Sequence, residues 1–364
     1  MRVLGLMSGT SMDGLDCCIS DIDIDKSYNF KYKILDYKTF PFNNELKKII
    51  RLSIGNKQKS IVNVCNEKLG KFFLEKSKLF LNSIEVDLIS IHGQTISHID
   101  KVKSVQIGDP KYLHDYFNVP VCFNFREKDI ELGGCGAPLI PFLDWLLFRK
   151  YDHDIITLNI GGISNITYIP MLSKKSEVIG FDTGPGMCLI DEFVKKEFDL
   201  DYDKKGLLSQ IGEVDNKLLN YMLKDKFVNK SYPKSTSREY FGYEYLINIC
   251  SKFSHINKYD FLRTLVSYTI ESVIMNIIKN SLDVNKYKLI LSGGGIKNIT
   301  LFNEIVEKIG KSKILTSDYL EINPDAKESF LMAVLGICRF KKINNNMPSV
   351  TGAKYEASYG DIYE

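Results

Sequence analysis

The sequence predicts a two-domain α/β protein whose halves share one topology. Its 364 residues exceed the ~250–300 at which a single hydrophobic core usually divides. Residues 2–22 contain an apolar stretch, a turn of glycine and polar residues, and a second strand-like stretch. The same arrangement restarts near residue 154. We therefore expect two domains of related topology that each present a hairpin turn to a shared cleft.

Composition and charge narrow the class of protein and its partners. Hydrophobic residues make up 44% and charged residues 26% of the chain, and 48 Lys and Arg residues stand against 45 Asp and Glu residues. These fractions are ordinary for a soluble globular protein, and the scattered lysines form no basic block that would suit nucleic acid. No apolar stretch reaches the ~18 residues of a membrane span, and no signal peptide opens the sequence. We expect a soluble protein with neither a membrane nor a nucleic acid as partner.

The cysteines indicate the compartment. There are eight, they lack any C-x-x-C pair, and most lie within apolar stretches. Buried free thiols in a reducing compartment account for this pattern better than disulfides or a zinc site. The expected location is the cytoplasm.

The first half is predicted to combine strands, helices and glycine-rich turns. Strand-like stretches cover residues 2–6, 16–22, 28–40 and 85–91, and helices are expected near 61–73 and 139–148. Apolar residues at i, i+4 spacing indicate the first of these helices. Residues 92–95 are expected to follow the fourth strand as a polar segment.

The second half begins with a strand at 154–160, a glycine turn at 161–165 and a return strand at 166–169. Apolar residues at helical spacing predict a long packing helix over 262–278. The polar stretch 344–346 resembles a linker. We therefore place one domain at 1–150 plus 345–364 and the other at 151–344.

The turn within residues 5–16 combines three glycines, three hydroxyl side chains and two carboxylates. Glycines let the backbone approach a ligand closely, hydroxyls and N–H groups bind phosphate oxygens, and carboxylates can hold a hydrated metal ion. An ordinary hairpin with a polar turn is the alternative, although such a turn needs only about two to five residues.

A second glycine-rich segment, Gly293-Gly294-Gly295, links a predicted strand to a predicted helix. This arrangement can bring backbone N–H groups and a helix N-terminus against a ligand. It has neither the G-x-G-x-x-G spacing of a dinucleotide fold nor the Gly-Lys-Ser/Thr of a Walker loop.

Asp182 lies in a segment of three glycines and one proline, immediately before a predicted helix. A carboxylate there can cap the helix, or it can project into a cleft and act as a general base. Both interpretations stay open on the residues alone. A Ser–His–Asp hydrolase is excluded because the chain lacks the G-x-S-x-G elbow, and protein kinase motifs are absent as well.

Other polar residues have two interpretations each. His92 and His98 are poorly spaced for a metal and suit a pocket lining or a satisfied surface position. Arg126 can hold an anionic substrate group or form a surface salt bridge. Glu328 begins a predicted helix, where it complements the helix dipole without any ligand. Residues 235–239 form a hydroxyl-rich turn with no unique meaning.

Taken together, these segments resemble the anhydro-N-acetylmuramic acid kinase family, within the sugar kinase/Hsp70/actin superfamily. Matching segments follow in order along nearly the whole chain, and the M-S-G-T-S-M-D-G turn is the most specific of them. They are residues 5–16, 90–95, 106–109, 125–126 with 129, 133–139, 158–165, 181–186, 235–239, 293–295 and 350–353.

The resemblance implies an actin/Hsp70/hexokinase-like fold, a duplicated ribonuclease H-like α/β fold with a central ATP cleft. It also implies an enzyme that uses ATP, Mg²⁺ and water to convert 1,6-anhydro-N-acetylmuramic acid into N-acetylmuramic acid 6-phosphate and ADP, in peptidoglycan recycling. A homodimer is expected on the same grounds.

The resemblance also implies roles for individual residues. Asp182 would be the catalytic base, and His92, Arg126 and Glu328 would face the sugar. Gly161 and Gly162 would form a second phosphate hairpin, and Gly293, Gly294 and Gly295 would lie near the adenosine end of ATP. The ATP phosphates would bind at Gly9, Thr10, Ser11, Met12, Asp13, Gly14, Leu15 and Asp16.

Four residues depart from the family pattern beside these motifs: Cys135, Asp144, Met187 and Ser237, where many relatives have Gln, His, Asn and Gly. They bear on the shape of the sugar pocket. Two alternatives to the implied activity are a related kinase acting on a sugar with a free hydroxyl, and a nonenzymatic module switched by ATP.

Overall fold

The computed structural model describes residues 1–9, 12, 14–56, 58–280, 287–315 and 322–364. The chain forms two compact units. Unit 1 comprises Met1–Leu147 and Asp325–Glu364, and unit 2 comprises Phe148–Pro324.

The strands are β1 (Arg2–Ser8), β2 (Gly14–Ile24), β3 (Phe30–Pro41), β4 (Leu88–Ile99), β5 (Lys103–Ile107), β6 (Val121–Phe123), β7 (Asp154–Ile160), β8 (Ile163–Ile169), β9 (Ile179–Pro185), β10 (Tyr287–Ser292), β11 (Ile314–Leu315) and β12 (Asp361–Tyr363). The helices are α1 (Asn44–Ser53), α2 (Lys59–Leu81), α3 (Lys111–Phe117), α4 (Glu127–Glu131), α5 (Ile140–Phe148), α6 (Cys188–Phe198), α7 (Asn216–Met222), α8 (Tyr243–Lys252), α9 (Lys258–Lys279), α10 (Ile299–Ile309), α11 (Lys327–Phe340) and α12 (Pro348–Thr351).

Each unit is built on a sheet that starts with an antiparallel meander. In unit 1 the strand order is β12-β6-β4-β1-β2-β3, and β5 pairs with β4. Strands β1, β2 and β3 are antiparallel neighbours, whereas β4 runs parallel to β1 and β6 runs parallel to β4. The first predicted hairpin is therefore confirmed as β1–β2.

Unit 2 repeats this arrangement in the order β11-β10-β7-β8-β9. Strands β7, β8 and β9 form the antiparallel meander, and β10 and β11 extend it in parallel from β7. From the outer strand of the meander inward, the first sheet runs β3-β2-β1 and continues with β4 and β6, and the second runs β9-β8-β7 and continues with β10 and β11. In each sheet these two further strands are parallel to the innermost strand of the meander. This shared order confirms the predicted duplicated α/β fold.

Helix α11 belongs to unit 1, which corrects the domain boundary expected from the sequence. It packs against β1, β2 and β4. Two glycines make this packing close, because a Cβ on Gly5 would lie 2.0 Å from the Ser329 carbonyl oxygen and one on Gly336 would lie 2.4 Å from the Ser90 Cβ. Residues 325–344 are therefore part of the unit 1 core and not of the second domain.

The polar stretch 344–346 is not a linker. Asn345 is 2% exposed and Asn346 is 4% exposed. The Asn345 side chain donates to the carbonyl oxygens of Leu335 and Tyr359, each over 3.1 Å, and accepts from the Tyr359 N–H over 2.6 Å. The buried Asn345 amide therefore links the end of α11 to the C-terminal segment by hydrogen bonds.

The core of unit 2 forms around α9, the predicted central helix. Its residues Leu262, Leu265, Val266 and Val273 are almost fully buried. Among the described helices, α9 alone is long and apolar enough to cross a membrane, and 72% of its most apolar stretch is buried within the protein. Burial of this extent is typical of a core helix.

Candidate active site

The turn between β1 and β2 carries the first glycine motif. Thr10, Ser11 and Asp13 lie outside the described residues. Met12 adopts a left-handed φ of 57° and its N–H donates to the Gly9 carbonyl over 3.2 Å. A Cβ on Gly14 would lie 2.3 Å from the Phe40 carbonyl oxygen, so glycine is required where β2 meets β3. Leu15 is fully buried in the core, while Asp16 is half-buried.

Gln94 fixes the start of this turn. Its Oε1 accepts from Ser8 Oγ over 2.6 Å, and its Nε2 donates to the Gly9 carbonyl over 3.2 Å. Ser8 and Gln94 are paired residues on the parallel strands β1 and β4. Residues 92–94 thus lie within β4 and not after it, and the strand carries its polar side chains to the glycine turn.

His92 supports Arg126 from the same strand. Arg126 Nε donates to His92 Nε2 over 2.8 Å, and Nη1 donates to the Gly136 carbonyl over 2.8 Å. Since an arginine only donates, His92 Nε2 must be the acceptor, and Nδ1, which is 2.8 Å from the Gly93 carbonyl oxygen, carries the proton. Burial, followed by the Arg126 charge, lowers the pKa of His92 to about 3. The salt-bridge interpretation of Arg126 is therefore wrong.

Arg126 is half-buried and keeps its charge. Burial lowers its pKa to about 10, while the Glu328 and Asp129 carboxylates raise it.

His92 also lines a cavity of about 260 Å³ with Gly93, Gln106 and Glu127 among its walls. His98 lies outside this arrangement, at the surface beside Asp100 and Ser104.

A buried carboxylate shapes the loop next to Arg126. Asp129 Oδ2 accepts from the Gly136 N–H over 2.7 Å, and Oδ1 accepts from the Thr351 and Tyr359 hydroxyls over 2.7 and 2.8 Å. Gly134 packs against the same carboxyl group, where a Cβ would lie 2.2 Å from Oδ2. Asp129 therefore holds the Gly136 carbonyl that orients Arg126.

Glu328 lies in the first turn of α11, as predicted, and faces two charged groups of unit 1. Glu328 is exposed at the surface. Partial desolvation by nearby protein atoms and the Asp16 carboxylate raise the pKa of its carboxyl group, and Arg126 opposes both. The preceding Lys327 forms a buried ion pair, with its Nζ 2.6 Å from Asp144 Oδ1. This pair anchors the start of α11 to α5, at one of the four positions that depart from the family pattern.

In unit 2, the Gly161-Gly162 turn is anchored to the start of α6. The Gly161 carbonyl accepts from the Met187 N–H over 2.8 Å, and the Gly162 carbonyl accepts from the Gly186 and Cys188 N–H groups over 2.9 and 3.1 Å. The turn is thus rigidly positioned beside Asp182's strand, β9.

Asp182 is a strand residue and not a helix cap. It pairs with Asn165 across β8 and β9, and α6 begins six residues later at Cys188. Its Oδ2 accepts from the Thr236 N–H over 2.8 Å and from Ser235 Oγ over 3.1 Å, and its own N–H donates to the Lys234 carbonyl over 3.2 Å. The half-buried carboxylate therefore has a fixed orientation.

Lys234 fixes the loop that holds Asp182. Its buried Nζ donates to the Phe227 and Val228 carbonyls, each over 3.0 Å. Burial and the Lys279 charge lower the pKa of Lys234 to about 8, while Asp182 raises it. Sequence reasoning gave residues 235–239 no particular role, because their contact with Asp182 spans more than fifty positions and leaves no local signal.

The three glycines after β10 differ in what surrounds them. A Cβ on Gly293 would lie 2.6 Å from the Ile160 carbonyl oxygen, and one on Gly295 would lie 2.4 Å from the Ile160 Cγ2. Gly294 has no such neighbour within 4 Å in the described structure. Two of the glycines thus permit close packing on the end of β7, and Gly294 is open among the described residues. Helix α10 begins later, with Asn298 as its cap.

Sequence comparison identifies the family. The anhydro-N-acetylmuramic acid kinase model matches residues 1–364. Anhydro-N-acetylmuramic acid kinases from Clostridioides difficile strain 630 and from Caldanaerobacter subterraneus subsp. tengcongensis are each 35% identical to this chain, over 100% and 99% of it and 98% and 96% of their own lengths. The kinase of the same name from Bacillus cereus strain AH187 is 34% identical over 100% of this chain and 99% of its own.

A solved structure, the activator of the 2-hydroxyisocaproyl-CoA dehydratase from Clostridium difficile with bound ADPNP, aligns at a TM-score of 0.42 and 12% identity, covering 92% of this chain and 94% of that one. The three kinases above align over at least 96% of their own lengths at 34–35% identity. The chain therefore belongs to the anhydro-N-acetylmuramic acid kinase family, and it is a phosphotransferase.

Proposed function

We propose that this enzyme opens the 1,6-anhydro ring of anhydro-N-acetylmuramic acid with water and transfers the γ-phosphoryl group of ATP to O6. The products are N-acetylmuramic acid 6-phosphate and ADP. Because O6 is locked in the anhydro bridge, the substrate offers no free hydroxyl there to deprotonate. Water must attack the anomeric carbon while the bond from that carbon to O6 breaks and O6 bonds to phosphorus.

Asp182 is the proposed general base. It takes a proton from the attacking water, the electron pair of the anomeric bond goes to O6, and the bond from the γ-phosphorus to ADP breaks as O6 attacks. The fixed carboxylate orientation, set by Ser235 and Thr236, carries this proposal, because a general base must be held within hydrogen-bonding reach of the proton it removes.

The ATP phosphates are proposed to bind at the two glycine hairpins, residues 9–16 and Gly161-Gly162. The anchoring of Gly9 by Gln94 and of Gly161 by α6 supports this role, since preorganised N–H donors stabilise developing phosphoryl charge without reorganisation. The open Gly294 is the proposed approach for the adenosine end.

A magnesium ion fits the residues near the first turn. Asp16 supplies a hard carboxylate oxygen, and it lies close enough to Glu328 to raise the pKa of that carboxyl group. Magnesium is usually held by one or two carboxylates together with substrate phosphates, where it neutralises phosphoryl charge. Asp16 is the proposed carboxylate.

The sugar is proposed to bind at Arg126, with Glu328 beside it. Arg126 is oriented by His92 and Gly136, so its remaining donors have a defined direction. A planar guanidinium suits the lactyl carboxylate, which it can bind with two parallel hydrogen bonds. His92 is then a positioning residue, held neutral so that it can accept from Arg126.

The experiment that tests the proposal offers ATP with either anhydro-N-acetylmuramic acid or N-acetylmuramic acid. We expect phosphorylation of the anhydro sugar, with one ADP released for each sugar phosphate. Phosphorylation of the free-hydroxyl sugar alone would assign the enzyme to the ordinary sugar kinases. ATP hydrolysis that neither sugar changes would indicate a nucleotide-switched module.

The biological setting is proposed from family membership. The proposed product, a phosphorylated amino sugar derived from cell wall fragments, fits a role in peptidoglycan recycling within the cytoplasm. The enzyme is proposed to act there as a homodimer. Sedimentation equilibrium of the purified chain tests the dimer, and growth on labelled cell wall fragments with and without the enzyme tests the recycling role.

A further inference from the structure

The loop that fixes Asp182 also brings an arginine to the second glycine hairpin. Beyond Ser235 and Thr236, the loop reaches Arg238. A Cβ built on Gly162 would lie 2.4 Å from Arg238 Nε and 2.5 Å from Nη2. The guanidinium group therefore packs directly on the Gly162 backbone.

Glycine at position 162 leaves the space that the guanidinium group occupies. The glycines with left-handed φ do not include Gly162, so its backbone conformation would accept other residues. Any side chain there would instead displace the guanidinium group. The second hairpin and Arg238 thus form one surface, and the glycine preserves it.

Arg238 is exposed and keeps its donors available. Within the part of the chain that the structure describes, it forms neither a hydrogen bond nor an ion pair. Asp191, in the first turn of α6, is its electrostatic neighbour: burial raises the pKa of Asp191 to about 6, and the Arg238 charge opposes that rise. Arg238 therefore has a carboxylate nearby but no partner that occupies its guanidinium fork.

The carbonyl oxygens of the hairpin do not compete for these donors. Those of Gly161 and Gly162 accept from N–H groups at the start of α6. A rigid turn whose carbonyls are already bonded, and which carries a guanidinium group on one face, suits a polyanion. Among common side chains, arginine matches the geometry of phosphate oxygens best.

We propose that Arg238 binds the β- and γ-phosphate oxygens of ATP at the Gly161-Gly162 hairpin. This inference rests on the proposed function for its ligand, since it takes ATP as the nucleotide and this hairpin as a phosphate site. It adds a phosphate-binding residue from the same loop that orients Asp182. Phosphate binding and base positioning then depend on one segment, residues 234–242.

The test compares Arg238→Gln, Arg238→Lys and the native full-length enzyme by calorimetric titration with ATP, ADP and AMP. We expect Arg238→Gln to weaken ATP and ADP binding by ~10–50-fold, in line with the loss of charge-assisted hydrogen bonds, and to change AMP binding less than about twofold. Arg238→Lys should recover only part of the loss, because an ammonium group lacks the fork. Arg51→Gln, on the exposed face of α1, is the charge-matched control.

Gly162→Ala provides a second, independent variant. It should weaken ATP binding in the native background by displacing the guanidinium group, and it should have little further effect when combined with Arg238→Gln. Additive losses, or equal losses for AMP and ATP, would overturn the proposal. So would native ATP affinity in Arg238→Gln together with a lowered melting temperature that Asp191→Asn restores, since Arg238 would then only neutralise Asp191.

These outcomes are separable from a failure of the proposed function. If the native enzyme phosphorylates a different sugar and Arg238→Gln still loses ATP selectively, the sugar assignment is wrong and the arginine assignment holds. If the native enzyme phosphorylates the anhydro sugar and Arg238→Gln binds ATP normally, only the arginine assignment is wrong.

Discussion

Thr236 donates its backbone N–H to Oδ2 of Asp182 across 2.8 Å. Ser235 Oγ donates to the same oxygen across 3.1 Å. The orientation of the carboxylate is therefore set by a loop more than fifty positions away in the chain, and not by β9 alone. Substitutions in this loop should therefore lower the rate of the chemical step more than they lower the free energy of unfolding.

Replacing the proposed base gives the first prediction. Asp182→Asn should lower kcat by ~10²–10⁴, the usual contribution of a positioned acid–base group, because an amide cannot accept the proton of the attacking water. ATP affinity should stay within about twofold, since the amide keeps the shape of the carboxyl group. Steady-state kinetics and nucleotide titration measure the two effects. The exposed Asp201→Asn is the control, and near-native kcat in Asp182→Asn would remove Asp182 from the role.

The second prediction distinguishes the roles of two hydroxyl groups in the loop, those of Ser235 and Ser237. Ser235→Ala removes one of the two donors to Asp182 Oδ2 and should lower kcat by about tenfold, which corresponds to ~1.4 kcal/mol. Ser237→Ala lies in the same loop but its hydroxyl group bonds to Glu239 at the surface, so it should leave kcat unchanged. Equal kcat values for the two variants would mean that Ser235 does not position the base.

The third prediction concerns sugar recognition. Arg126→Lys loses the guanidinium fork and should lower kcat/KM for anhydro-N-acetylmuramic acid by ~10²-fold. A 1,6-anhydro-N-acetylglucosamine substrate lacks the lactyl carboxylate, so its kcat/KM should change by less than about threefold. A similar loss for both sugars would show that Arg126 does not bind the carboxylate.

The fourth prediction is a pH dependence of stability. The pKa of His92 is about 3 in the folded protein against an ordinary 6.5, so between these values the unfolded chain binds more protons. The free energy of unfolding should therefore fall as the pH falls below about 6.5, and His92 should account for a loss of about 2 kcal/mol between pH 7 and pH 5.

The matched variants are His92→Gln, whose amide oxygen can accept from Arg126 without titrating, and His98→Gln at the surface. Urea unfolding at pH 7 and pH 5 should show a loss smaller by about 2 kcal/mol in His92→Gln and a native loss in His98→Gln. An unchanged acid sensitivity in His92→Gln would contradict the buried neutral state of His92.

The fifth prediction tests the buried asparagine segment. Asn345→Ala leaves the Leu335 and Tyr359 carbonyls and the Tyr359 N–H without their partners, which should lower the free energy of unfolding by ~2–4 kcal/mol. Asn63→Ala, on the exposed face of α2, should change it by less than about 0.5 kcal/mol. Equal stability of both variants would support a linker at 344–346 after all.

Much of the fold could be predicted from local patterns in the sequence. The β1–β2 hairpin, the apolar stripe of α9 and the helix that carries Glu328 in its first turn are signalled by neighbours within a few residues, so periodicity and turn chemistry predict them. The stretch 344–346 was misjudged because polar asparagines suggest solvent, whereas Asn345 is buried through bonds to residues 335 and 359. That error also misplaced the domain boundary.

For the candidate site, the sequence offered Asp182 as a cap or a base and the first glycine turn as a phosphate site, and these roles stay predictions. The supporting residues were not predictable. Gln94, Thr236 and Arg238 act through partners on other strands and loops, and only the folded chain brings these partners together. For Arg126, the surface salt bridge was one of two interpretations, and the structure has a bond with His92 instead, because a β-strand and a short helix meet there.

The most direct test of the central claim, that water opens the anhydro ring while O6 is phosphorylated, is mass spectrometry of the sugar product formed in ¹⁸O-water. The sample is quenched within the first turnovers, and unlabelled product held in ¹⁸O-water for the same time corrects for exchange at the anomeric carbon. The account predicts one ¹⁸O at the anomeric hydroxyl and none in the transferred phosphate. A sugar phosphate without anomeric label beyond the exchange control would contradict it.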